Sequence, residues 1–108
     1  MKQFRIAVSK EAEDDLGAIY SYIARADGIT QANVIEDRLM EAVLSLGNTP
    51  ARGKVPPEML KLGVTDFREI QLSPWRIFYY INQDVVGIVA ILDGRRNVAE
   101  LLQRRLLR

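Results

Sequence analysis

The chain has 108 residues, 48% of them hydrophobic and 27% charged, with a formal net charge of +1, which suits one domain with a modest core. It contains neither cysteine nor histidine, which excludes disulfides, thiolate nucleophiles, zinc–thiolate sites and histidine-based catalysis or metal ligation. No apolar run approaches the roughly 20 residues of a membrane span, and the N-terminal stretch lacks the apolar core of a secretion signal. A cytoplasmic protein is expected, with no membrane contact, no cofactor and no metal.

Any chemistry would have to run on carboxylates, tyrosine, serine, lysine or arginine. The small net charge hides an asymmetry. Residues 1–50 hold five Lys/Arg against eight Asp/Glu, and residues 51–108 hold ten against six. Such a division either steers an anionic partner to one side or merely decorates the surface.

Phe4, Ile6 and Val8 alternate with Arg5 and Ala7, which predicts a half-buried strand over residues 2–8. Ser9 offers an N-cap, and Glu11, Glu13, Asp14 and Asp15 fall in the early turns, where the helix dipole favours negative charge. Ala12, Leu16, Ile19, Tyr20 and Ile23 follow at helical spacing, so a helix is predicted over residues 10–25, ending at Asp27-Gly28. Thr30 is read as the cap of a second helix over residues 31–46, with Ile35, Leu39, Val43 and Leu46 as its apolar stripe. About four residues of connection would make the two helices an antiparallel hairpin, each about 24 Å long. Their carboxylate clusters read as a solvated face.

Gly47-Asn48-Thr49-Pro50, Gly53, Pro56 and Pro57 keep the next stretch irregular. Pro57 can open a single helical turn over residues 58–62, closed by Gly63. Residues 47–66 are therefore expected as a loop over the sheet edge. Three strands follow, over 67–72, 75–81 and 85–92, joined by turns at Ser73-Pro74 and Asn82-Gln83-Asp84. The last strand, VVGIVAIL, is apolar on both faces and should be central and covered on both sides. The helical hairpin can cover one side. The other needs the C-terminal segment or a partner chain, and this far face is expected to stay apolar and arginine-rimmed for another macromolecule. Val98, Leu101, Leu102 and Leu106 share helical spacing, so the tail is either a short helix docked on the sheet or a segment ordered with a partner.

The fold class is thus α+β, in the order β-α-α-β-β-β(-α), with an antiparallel helical hairpin packed on a small, mainly antiparallel sheet. With Asn48-Thr49-Pro50, Gly53, Glu58, Phe67-Arg68-Glu69-Ile70, Trp75-Arg76-Ile77-Phe78-Tyr79 and Asp93-Gly94-Arg95-Arg96 in place, the chain resembles the RelE/ParE superfamily of bacterial toxins over residues 1–108. That resemblance implies a toxin of a type II toxin–antitoxin pair, bound and neutralised by a cognate antitoxin in a hetero-oligomer. Members like RelE are ribosome-dependent endoribonucleases that cut messenger RNA. Members like ParE poison DNA gyrase.

The nuclease branch uses basic residues on the second strand, an arginine on the third, an arginine after the fourth, and often a tyrosine or histidine near the C-terminus. Arg76 and Arg95 match the two arginines. The second-strand cations fall near Glu69 and Gln71, and the tail tyrosine near Leu101, none of which can take the family role. A nuclease would have to use Glu69 or Asp93 as base, with Arg76 and Arg95 stabilising the phosphorane. The ParE branch and gyrase are therefore favoured over the ribosome and mRNA, with a non-toxic binding module in the same fold as a third reading. Under this resemblance Arg68, Arg76, Arg95, Arg96 and Leu101 are the candidates for target or antitoxin contact. Arg68 has a second reading, as a structural arginine paired with a carboxylate such as Glu58. Trp75, Phe78 and Tyr79 read as core.

Overall fold

The computed structural model describes residues 3–107. Its elements run β1 (Arg5–Val8), α1 (Lys10–Asp27), α2 (Ile29–Ser45), a 3-10 turn (Pro50–Arg52), α3 (Pro57–Leu60), β2 (Arg68–Leu72), β3 (Trp75–Asn82), β4 (Val85–Asp93) and α4 (Val98–Leu106). The expected order holds, with boundaries moved by one to three residues. The expectation for residue 2 lies outside the described residues, as does any for Arg108.

Ser9 caps α1 as its position suggested: its Oγ accepts the Ala12 N–H at 3.0 Å, and Glu11 and Glu13 occupy the first turn. The link to α2 is shorter than expected. A single residue, Gly28, separates the helices at φ 96° and ψ 163°, a backbone region essentially restricted to glycine. Its N–H bonds the Ala24 carbonyl and its carbonyl accepts the Ala32 N–H, both at 3.1 Å. Gly28 therefore closes one helix and opens the next. Thr30 consequently sits inside α2 and makes no capping bond.

The four strands are ordered β1-β4-β3-β2, with β1 parallel to β4 and the other pairs antiparallel. β4 is internal, as its two apolar faces required. A bulge interrupts the β3–β4 register between Phe78 and Tyr79, where Phe78 pairs with Ala90 and Tyr79 with Ile88. The extra residue is Val89. It reverses the alternation, so Val86, Ile88 and Ile91 face the helical hairpin while Ala90 and Leu92 face the opposite side.

Two cores result. On the hairpin side Ala12, Ile35, Leu39, Val43, Ile77 and Tyr79 meet β4. On the far side Phe78, Ala90 and Leu92 are covered by Met59 of α3 and by Val98 and Leu102 of α4. The expectation of a far face left open for a macromolecule is therefore corrected over this region: the chain's own C-terminal helix closes it. Phe78 and Leu102 are almost completely buried, each worth about 1.5–3 kcal/mol relative to exposure. The loop before β2 lies along the sheet edge as expected. Lys54 and Glu69 exchange backbone hydrogen bonds of 3.1 and 2.7 Å, which covers the β2 edge with an isolated bridge.

Candidate functional site

Arg76 sits at the start of β3, where β2–β3 pairing sets Gln71 opposite it and Glu69 opposite Phe78. Glu69 is thus its diagonal neighbour on the same face, and Pro57 opens the turn that delivers Glu58. Arg76 Nε and Nη2 donate to Glu69 Oε1 and Oε2 at 2.8 and 2.6 Å. Nη1 and Nη2 donate to Glu58 Oε2 and Oε1, both at 2.8 Å. The guanidinium also lies 5.0 Å from the Phe78 ring centroid. Side-chain exposure is 12% for Arg76, 25% for Glu58 and 0% for Glu69.

The bond to Arg76 holds the Glu58 carboxyl below the usual carboxylate range. In return Glu58, then Glu69, raise the Arg76 pKa further, so the guanidinium stays charged. Arg76, a candidate for target contact or for a nuclease phosphate site, is an internal arginine chelated by two carboxylates, and an incoming phosphate would have to displace one of them. Glu69, one of the two carboxylates that a nuclease could use as base, has both oxygens committed to that arginine.

Arg68 does not pair with Glu58. Its Nη1 donates to the carbonyls of Ala51 at 3.3 Å and Gly53 at 2.7 Å. Beside it the Tyr79 hydroxyl accepts the Gly53 N–H at 3.0 Å and donates to the Pro50 carbonyl at 2.7 Å. Burial pushes that hydroxyl's pKa up. Together these bonds fix the loop that carries Glu58.

The turn after β4 is different. Asp93 Oδ1 accepts the Arg95 backbone N–H at 2.9 Å and its Nε at 3.0 Å, and Oδ2 accepts Nη2 at 2.8 Å. This pairing lowers the Asp93 pKa. The Arg95 side chain is nonetheless 76% exposed, so it is an exposed guanidinium held in one orientation. Arg96 beside it is exposed. Arg95 and Trp75 line two clefts, one of about 430 Å³ over the Arg76 cluster and one of about 630 Å³ between the sheet end and the hairpin. Leu101 is half-buried and packs against the far-side core. Arg76, Glu69 and Arg95 therefore border one cleft and Arg96 borders the other, while Arg68 and Leu101 stand apart. Among the described residues no group of carboxylates is placed to hold a metal ion.

A model of the ParE toxin family of type II toxin–antitoxin systems (parDE) matches residues 6–98. The chain belongs to the ParE toxin family. Toxin ParE3 of Caulobacter vibrioides is 26% identical over 101 residues, covering 94% of this chain and 97% of the relative. Among solved structures, the chromosomal ParDE system from P. aeruginosa matches with a TM-score of 0.70 at 21% identity, over 82% of this chain and 94% of that one. The RelBE2 toxin–antitoxin complex from Mycobacterium tuberculosis gives 0.64 at 18%, over 86% and 93%. A mutant of E. coli toxin RelE in the free state gives 0.62 at 12%, over 96% and 99%. At these identities the structural likenesses establish the fold, which is that of the RelE/ParE superfamily.

This ParE-family toxin also holds an ion pair that its sequence did not disclose. Asp15 of α1, read as part of a solvated face, accepts the Ile91 N–H at 2.9 Å through Oδ2. Arg105 of α4 grips the same carboxylate with bonds of 2.6 and 3.1 Å and reaches the Val89 carbonyl at 3.4 Å. The link depends on the bulge at Val89, for which the sequence carries no signal.

Proposed function

We propose that this toxin acts by protein–protein contact on DNA gyrase in the cytoplasm and is neutralised by a cognate antitoxin. The observation that carries this reading is the contrast between its arginines. Arg76, which an RNA-cleaving relative would aim at the scissile phosphate, is saturated by Glu58 and Glu69. Arg95 and Arg96 are exposed instead. General acid–base groups typically contribute about 10²–10⁴-fold to such cleavage. Here Glu69 is buried in an ion pair and Asp93 is made less basic by Arg95. A surface arginine already oriented by Asp93 suits a protein interface, because little side-chain freedom is lost on docking.

The experiment is induction of the toxin in cells without its antitoxin, followed by analysis of reporter-plasmid topology and of translated messages. Growth arrest with relaxed or cleaved plasmid supports gyrase as the target. Codon-dependent cuts in messages, with plasmid supercoiling unchanged, would replace this reading with the ribosome-dependent nuclease.

A further inference from the structure

Two arginines of this chain grip a carboxylate through the same edge of the guanidinium. Arg76 Nε and Nη2 hold Glu69, and Arg95 Nε and Nη2 hold Asp93 at 3.0 and 2.8 Å. They differ at the second edge. Arg76 uses Nη1 and Nη2 to hold Glu58 as well. Arg95 Nη1 has no acceptor among the described residues, and the side chain is 76% exposed. Arg95 thus displays half of a two-carboxylate site of which Arg76 is the completed form.

That half-site is held in place. Asp93 also accepts the Arg95 backbone N–H. The Gly94 N–H bonds the Pro74 carbonyl at 2.7 Å, and a Cβ on Gly94 would press on that carbonyl and on the Arg76 side chain. The turn after β4 is therefore seated on the Ser73-Pro74 turn, which also presents Trp75. Beside Arg95 the cleft of about 630 Å³ is walled by Ile19, Tyr22, Ile35 and Trp75, with Tyr22 62% exposed on α1. Tyrosine, tryptophan and arginine around a concave centre are the residue types that dominate binding energy at protein interfaces.

We propose that the free Nη1–Nη2 edge of Arg95 is the receptor for an aspartate or glutamate carboxylate of the toxin's protein target, with an apolar side chain next to that carboxylate seated in the cleft between Tyr22 and Trp75. This rests on the gyrase reading above and adds the chemistry of the segment recognised. A planar guanidinium takes a carboxylate through two parallel bonds, and one already fixed by Asp93 loses little freedom on binding. The aliphatic and aromatic walls suit a protein side chain better than a DNA backbone, whose exposed surface is charged.

The test compares wild type, Arg95→Ala, Arg95→Lys and Tyr22→Ala as inhibitors of gyrase supercoiling, with circular dichroism showing that each is folded. The toxin concentration for half-inhibition should rise about tenfold or more for Tyr22→Ala and for both Arg95 variants, because lysine keeps the charge but not the two-pronged geometry. Full inhibition by Arg95→Lys would reduce Arg95 to a point charge and overturn the carboxylate receptor. Unchanged inhibition by all three variants overturns the site while the gyrase reading stands. A wild-type toxin without effect on gyrase overturns both. Retention of duplex DNA by the toxin alone, abolished in Arg95→Ala, would assign the edge to a phosphate and also overturn the proposal.

Discussion

The hydroxyl of Tyr79 receives the Gly53 N–H at 3.0 Å, and a Cβ on Gly53 would overlap that same oxygen and press on the Glu69 carbonyl. The two residues are 26 apart in sequence, one on β3 and one in the loop over the sheet edge. Gly53→Ala should therefore cost about 1–3 kcal/mol through overpacking at a site without room to yield. Tyr79→Phe should cost a similar amount by leaving the Gly53 N–H and the Pro50 carbonyl unpaired. Urea denaturation checks both; midpoints equal to wild type would show that the loop is not held this way.

Removing one partner of the Arg76 cluster strands a buried charge. Arg76→Ala leaves two carboxylates facing each other and should destabilise by about 3–5 kcal/mol, while Glu58→Gln, at a partly exposed position, should cost less. The pH dependence has a definite sign. Glu58 is held below its ordinary pKa, so its contribution is complete above about pH 5 and is lost as pH falls through its folded value. The stability gap between wild type and Glu58→Gln should therefore shrink steadily below about pH 4. A gap constant from pH 7 to pH 3 would contradict the pairing.

Ile88 is completely buried and Val89 half-buried beside a cleft. Ile88→Asp should abolish folding, since the carboxylate has no partner in the hairpin core. Val89→Asp should be milder because the bulge sets this residue at the cleft wall. Circular dichroism and soluble yield separate the two, and equal loss for both would mean that Val89 is as enclosed as Ile88.

The sheet was legible because strand alternation, a two-residue Ser73-Pro74 turn and a doubly apolar VVGIVAIL segment each permit little else. The Arg76–Glu69 contact was also within reach. A tight turn at Ser73-Pro74 sets Leu72 against Trp75 and hence Glu69 diagonal to Arg76. The partner of Arg68 was not, because loop carbonyls present no side-chain signature. Nor was the bulge at Val89, which exchanges the faces of Ala90, Ile91 and Leu92 in a run where every residue is apolar. Asp27-Gly28 signals the end of a helix, but Gly28 at φ 96° also starts the next. Only the backbone conformation reveals that double use.

Arg95→Ala should leave the fold intact, because the side chain is largely solvated and its pairing with Asp93 is a solvent-screened surface contact that adds little to stability. Growth arrest on induction should weaken while the unfolding midpoint stays near wild type. Full toxicity in the folded variant would remove Arg95 from the contact surface.

Titration of the purified toxin into a DNA gyrase supercoiling reaction tests the mode of action most directly. Supercoiling should fall and cleaved gyrase–DNA complexes should accumulate as the toxin is raised. Full supercoiling with no cleaved complex at large toxin excess would contradict gyrase as the target.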